Sequence, residues 1–409
     1  MHKLIYARRS VSSTYESQHT NDILTKNGRR VCATGLVGCV LLTAGSLLAG
    51  GILLAGCQGP KYSQFGGYAQ GGTWSVKANL KGVKERPQEI QKHIDNILYE
   101  IDTTLSGYNK ASQLSRLNAG EQIEPSPMFR EVLGAAQRFY EETGGAVDCA
   151  AGALFDIWGF GFRTDSLPSD AQIQAAMARK LDSFASLGMT VEAGISESPA
   201  DGQCWGGLPL RDKYRGPRKT KVFWGGRPSP PARRGEENAG RPLFNFNAIA
   251  QGYSCDKVAA YLYSIGVKDM LVDIGEIYCD GLNPQGKPWR IGIDRPKDGN
   301  NTPGADMQAI LESSGGPQGI VTSGNYRKFY IKDGVKYSHT IDPRTGYPVQ
   351  HNLLSATIIA PTAMEADAYA TYCMVIGQEK AQEFILSRPD LEACLISEDI
   401  WTSPGFKLQ

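Results

Sequence analysis

From Val31 to Gly56 the chain carries no charged residue, and two arginines, Arg29 and Arg30, stand directly before the run. The run sets residues 1–56 apart as a leader and leaves the folded body to the residues beyond it. A charged start, an apolar stretch and small residues before a break describe an export signal. The run also exceeds the ~20 residues that span a bilayer, so an uncleaved membrane helix is the competing reading. On either reading, the later residues lie outside the cytoplasm and stay attached to a membrane.

The run ends Leu54-Ala55-Gly56-Cys57, which resembles the bacterial lipobox, a signal whose cysteine is lipidated and becomes the new N-terminus. Cys57 is then the anchor and residues 57–72, rich in Gly, Gln and Tyr, read as a tether. Globular sequence is expected from Thr73 onward. The first 28 residues are polar and long for a signal start, and no methionine lies between Met1 and Met128.

The 43 basic and 42 acidic residues leave a net charge of +1 on 409 residues. That balance offers no general attraction for nucleic acid, and aromatic-basic motifs do not recur, so nucleic acid is set aside as a partner. Beyond the leader and anchor, six cysteines remain (Cys149, Cys204, Cys255, Cys279, Cys373 and Cys394), none spaced C-x-x-C. Zinc is not expected, and several of the six sit in apolar runs as small buried side chains.

Helical spacing predicts helices over Pro87–Tyr99, Pro127–Thr143, Ser169–Leu187, Gln251–Ile265, Ala363–Ile376 and Lys380–Ser387. Strand-like runs are Thr73–Val76, Met270–Ile274, Trp289–Ile293, Ile320–Thr322, Lys328–Ile331 and Leu353–Ala360. The mixture predicts one α+β domain over 73–409, with mixed or antiparallel sheets flanked by helices. Residues 196–241 differ: Gly and Pro are dense, and ten basic residues face three acidic ones between Arg211 and Arg241. They read as a surface insertion or as a docking loop for an acidic partner or lipid head groups.

Three segments carry candidate chemistry. Asp367 and Thr371 are four apart in a helical run and so share a face, offering two oxygens to a hard cation such as Mg²⁺. A capped or solvated helix start explains such a pair equally well. In Ser338-His339-Thr340-Ile341-Asp342-Pro343-Arg344-Thr345-Gly346-Tyr347-Pro348, a histidine among Ser, Thr and Asp is a candidate acid, base or phosphate partner, or else part of a turn. Asn245-Phe246-Asn247-Ala248-Ile249-Ala250-Gln251-Gly252 places little bulk before a helix, leaving backbone N–H groups for an anion such as a pyrophosphate. No P-loop or dinucleotide fingerprint accompanies it.

These segments, in this order, resemble the ApbE family of FAD:protein FMN transferases. The resemblance rests also on Leu105-Ser106-Gly107-Tyr108 with Ser115-Arg116-Leu117-Asn118, on Phe155–Gly161 and on Thr322–Arg327, and covers nearly all of Thr73–Ile396. It implies an ApbE-like fold, related to T-folds. It implies Asp367 and Thr371 as Mg²⁺ ligands with a backbone carbonyl placed at Ala248. Tyr108 matches an aromatic stacked on flavin; Trp158, Gly159 and Phe160 match a stretch lining the FAD site. Asn245, Gln251 and Ile341 fall where the family contacts FAD, and His339 matches the histidine important for transfer. Four departures stand out, the first being that residues 196–241 run longer than the family leads one to expect. Asn245 replaces a common Asp, Gln251 replaces a frequent Lys or Glu, and Leu271–Glu276 has one glycine where two are usual.

The activity implied is Mg²⁺-dependent transfer of FMN from FAD to a Thr or Ser hydroxyl of a partner flavoprotein, with release of AMP. The acceptor implied is a subunit of a membrane electron-transfer complex. The alternatives are an FAD pyrophosphatase, releasing FMN and AMP at the same metal site, and a flavin-binding lipoprotein without activity.

Overall fold

The computed structural model describes residues 61–159, 167–180, 187–191, 220–224, 243–300, 302–327, 329–332 and 334–409. Cys57, Phe160 and nearly all of 196–241 lie outside the described residues.

Eight antiparallel strands form the main sheet: β1 (Tyr62–Ala69), β2 (Gly72–Asn79), β3 (Met270–Asp273), β4 (Ile277–Asp280), β5 (Gln318–Gly324), β6 (Ser355–Ala360), β7 (Glu392–Ile396) and β8 (Ile400–Thr402). Their order across the sheet is their order along the chain, so the sheet is a meander interrupted by long excursions. The fold is α+β.

The first excursion, between β2 and β3, holds six helices: α1 (Pro87–Leu105), α2 (Gln113–Asn118), α3 (Pro127–Glu142), α4 (Gly152–Ile157), α5 (Asp170–Lys180) and α6 (Ala250–Ser264). Proline opens the first turn of α1, and the Glu89 carboxylate accepts the Arg86 N–H. Ile90, Ile94, Leu98, Ile101 and Leu105 are its buried stripe. Ser126 caps α3 by accepting the Phe129 N–H, again with proline in the first turn. The predicted helix over Ser169–Leu187 is α5, Asp170–Lys180; Leu187 instead begins a strand, Leu187–Val191, paired with Thr220–Trp224. Two further helices, α7 (Ala363–Ile376) and α8 (Gln378–Leu386), fill the excursion between β6 and β7.

The first strand corrects the tether. Residues 62–69 form β1, paired along its whole length with β2, so the ordered fold begins a strand earlier than Thr73. The glycines that suggested a flexible segment serve packing instead. Gly67 lies opposite Trp74, and a Cβ there would come within 2.8 Å of the indole Nε1. Phe65 is buried on the same strand.

α7 is the pivot of the core. It is buried on nearly all sides and studded with alanines, and its N-terminus is wedged between two glycines. A Cβ on Gly252 of α6 would lie 2.3 Å from the Ala363 carbonyl oxygen, and one on Gly319 of β5 would lie 2.3 Å from the Ala363 nitrogen. Backbone therefore touches backbone, which only glycine permits.

Candidate functional site

The crossing of α6 and α7 carries the first part of the site. Asp256 on α6 is buried, and its two carboxylate oxygens accept the N–H groups of Ala363 (2.8 Å) and Met364 (3.0 Å), capping α7. In return, Asp367 of α7 reaches the start of α6, where its Oδ2 accepts the Gly252 N–H at 3.1 Å. The sequence pattern left that helix start open to an external anion; the anion there is the protein's own carboxylate.

This exchange frees a carbonyl. Tyr253 donates to Ile249, but Gly252 donates to Asp367 rather than to Ala248 four residues back. Among the described residues the Ala248 carbonyl receives no hydrogen bond. Thr371 is half-buried one turn beyond Asp367. Burial pushes the Asp367 carboxyl up to about 7, the Gly252 N–H opposing the shift only in part. No ion pair to Asp367 exists among the described residues. A buried carboxylate lacking a cation, a free backbone carbonyl and a hydroxyl are oxygen donors of the kind Mg²⁺ accepts, so the residues present fit that ion.

A second carboxyl stands beside the first. Glu276, in the turn between β3 and β4, is held well above its usual range by desolvation, then by the charges of Asp367 and Asp273. Gly275, at φ +90°, makes the turn possible, and a Cβ there would strike the Gln251 amide nitrogen at 2.6 Å. Gln251 Nε2 donates to the Ile274 carbonyl at 3.3 Å, so its side chain is committed to this turn. In the sequence, Glu276 stands out only through the departure in the glycine pattern.

A cleft of about 330 Å³ forms the second part. It is lined by Gly107, Lys110, Ser115, Asn118, Asp156, Asn245 and Asn247, with Leu114, Leu243 and Phe244 behind. Asn118 builds its wall twice over: Nδ2 donates to the Phe244 carbonyl and Oδ1 accepts the Phe244 N–H, both at 2.8 Å. Asn245 Oδ1 accepts the Asn247 N–H, and the Asn245 N–H donates to the Cys149 carbonyl. The loop before α2 is stiffened by Ser106, whose Oγ accepts the N–H groups of Tyr108 and Asn109. Tyr108, between the lining residues Gly107 and Lys110, is 64% exposed.

The third part is the polar hairpin around His339. Ile341–Asp342 pairs with Tyr347–Pro348, and Arg344 grips the Asp342 carboxylate with both Nε and Nη2 at 2.9 Å. Trp158 is buried against this hairpin: its Nε1 donates to the Gly346 carbonyl at 2.8 Å and its ring stacks on Tyr337. Ile341 is buried in the same cluster. Trp158 and Ile341 therefore present packed side chains, and Gly159, at φ +76°, turns the chain after them. His339 is half-buried, and its neighbour Thr340 donates to Asn325 Oδ1 at 2.5 Å, joining the hairpin to the segment after β5. Asp367, Ala248, Gln251 and Thr371 come together at the helix crossing; Asn245 lines the cleft, and Tyr108 follows Gly107 of its lining; Phe160 lies outside the described residues.

The ApbE family profile matches residues 71–196 and 233–395. The chain belongs to the ApbE family. Curated ApbE relatives named FAD:protein FMN transferase include one from Salmonella typhimurium, 33% identical over 88% of this chain and 95% of that protein. Another, from Escherichia coli K12, is 31% identical over 90% and 97%. Among solved structures, the flavin transferase ApbE from Vibrio cholerae superposes with a TM-score of 0.63 at 28% identity, covering 84% of this chain and 98% of that one. The apo form of the Pseudomonas stutzeri flavinyl transferase ApbE gives 0.64 at 28%, covering 84% and 95%. Like these relatives, the chain is a transferase enzyme.

Proposed function

We propose that this ApbE protein transfers the FMN part of FAD to a threonine or serine hydroxyl of a partner flavoprotein, in a Mg²⁺-dependent reaction that releases AMP. The observation that carries the reading is the buried Asp367 carboxylate, which lacks a cation and lies beside a helix start whose Ala248 carbonyl has been freed. Asp367, Thr371 and the Ala248 carbonyl would hold the ion. When bound, the ion supplies charge neutralisation at the diphosphate.

The protein's own groups supply the rest. Tyr108 offers its exposed ring face to the flavin, while Asn245 brings its amide and Gly159 bare backbone to the ligand, and Gln251 holds the Ile274 turn beside them. Trp158 and Ile341 act from behind, keeping the hairpin rigid. His339 takes the acceptor hydroxyl's proton on a ring nitrogen as that oxygen bonds to the FMN-side phosphorus. The bond from that phosphorus to the bridging oxygen breaks, and AMP leaves. The site is exported, with Cys57 lipidated and the catalytic domain held outside the cytoplasm at a bacterial membrane. There it meets an acceptor subunit of a membrane electron-transfer complex.

Incubating the protein with FAD, Mg²⁺ and an acceptor should yield a fluorescent acceptor band whose mass has risen by that of FMN. An unlabelled acceptor in the presence of Mg²⁺ refutes transfer. Free FMN and AMP formed without any acceptor would instead identify a pyrophosphatase.

A further inference from the structure

At the end of the sheet opposite the α6–α7 crossing, four backbone segments meet at one corner. The Leu80 N–H donates to the Lys61 carbonyl at 2.7 Å, and the Asn79 N–H donates to the Asp269 carbonyl at 2.9 Å. The Leu282 N–H donates to Asp269 Oδ1 at 3.0 Å. Lys61, Lys81, Lys84, Lys268 and Lys287 all project from these segments and are exposed; none forms an ion pair among the described residues. Leu282 is exposed in their midst.

The carboxylates nearby are half-buried and already hydrogen-bonded. Asp269 accepts from Asn79 and Leu282, Asp280 from Tyr263, and Glu85 from Tyr261. The five exposed lysines outnumber these three carboxylates, so the outer surface is cationic around one apolar tip, on a chain whose overall charge is only +1. Lysines grouped within a Debye length of about 8–10 Å act together on an anionic surface.

We propose that this corner is a bilayer-facing surface that binds anionic lipid headgroups, with Leu282 entering the interface. The orientation rests on the Cys57 anchor reading. Lys61 comes just four positions after Cys57, a reach of about 14 Å, so an acyl chain on Cys57 holds this corner, and no other, against the membrane. The consequence for function is a height. α6 runs from Ala250, beside Ala248 and Asp367, to Ser264, just before Lys268. Its fifteen residues span about 22 Å. The catalytic site thus faces away from the lipid, about one helix length above it, and selects acceptor hydroxyls that stand at that height or on an arm that reaches it.

The test uses protein beginning at Gln58, which keeps every described strand and helix, mixed with vesicles of phosphatidylcholine alone or with added phosphatidylglycerol. Sedimentation should show binding only to the anionic vesicles, released by raised salt. Lys61→Glu, Lys81→Glu and Lys268→Glu should each lower the partition coefficient about fivefold, and the triple variant at least 30-fold. Flavin transfer to a soluble acceptor should be unaltered in the triple variant. Absence of binding to anionic vesicles, or binding indifferent to these substitutions, overturns the proposal, as does retention on an acidic protein partner alone. The anchor reading is judged separately, by the mass of the N-terminal peptide of full-length protein from membranes. An unmodified Cys57 with intact vesicle binding would remove the tether and leave the lipid surface standing.

Discussion

Two of the three parts of the candidate site, the helix crossing and the cleft, are built in opposite ways. At the α6–α7 crossing, carboxylates are buried, glycines allow backbone contact, and nearly every polar group is committed to another element. At the cleft, the walls are α2, α4 and the loops beside them, and Tyr108, next to the lining Gly107, is exposed. The crossing holds charge in place at a cost to stability; the cleft offers surface at almost none. Function placed in the crossing should therefore be inseparable from folding unless a substitution keeps its shape, whereas function placed in the cleft should separate cleanly.

The sharpest way to break this contrast is Asp367→Asn. Asparagine keeps an acceptor for the Gly252 N–H, so transfer should fall by about two orders of magnitude or more without loss of fold. The folded-state value, about 7, lies above 3.8, so ionising Asp367 weakens the metal-free fold as pH rises from about 4 to 7. Thermal melts should show that decline in the parent and less of it in the variant, and Mg²⁺ should no longer raise the melting temperature. A fully active variant would remove Asp367 from the chemistry.

Gly252→Ala tests the crossing as a scaffold. The new Cβ meets the Ala363 carbonyl at 2.3 Å and the Met364 Cα at 2.8 Å, both backbone, so neither can step aside cheaply. A loss of about 3 kcal/mol is expected, read in denaturant unfolding, with activity falling in parallel. Unchanged stability would mean that the helices do not touch there.

His351 probes the far end of α7. Its Nε2 donates to the Met374 carbonyl at 2.9 Å and its Nδ1 accepts the Leu353 N–H, so only the neutral ring satisfies both. Burial lowers its pKa below the ordinary 6.5. The unfolded chain then binds the proton more readily, and stability present above pH 6.5 should drain away as pH falls below it, at no more than about 1.4 kcal/mol per pH unit. Melts of His351→Gln should lose that slope, and a slope equal to the parent's would assign it elsewhere.

The smallest effect belongs to the cleft. Tyr108→Ala should leave stability within about 0.5 kcal/mol and weaken FAD binding by about 1 kcal/mol of lost stacking, measured by flavin fluorescence. A large fall in melting temperature would put the ring in the core rather than at the mouth.

Much of this was legible in the chain. The helices over Pro87, Pro127 and Ala363 announce themselves through proline, caps and spacing, and the motif segments carry the site because their residues lie close in sequence. β1 was not legible, since glycines that make room for Trp74 look the same as glycines in a tether. Glu276 was missed because its place beside Asp367 joins residues nearly a hundred positions apart. Asp256 was missed for the same reason: its partners at Ala363 and Met364 lie on another helix.

Local pattern determined which segments are helices and strands, which family the chain belongs to, and which side chains could bear charge or a proton. The tertiary structure alone decided which of those side chains lose water and to whom they then bond. It turned the start of α6 from an open anion site into the partner of Asp367, and it set Trp158 to holding a turn. Burial and backbone contact between distant segments are properties of packing, and desolvation, which moves a carboxyl from about 4 to about 7, exists only once the helices have met.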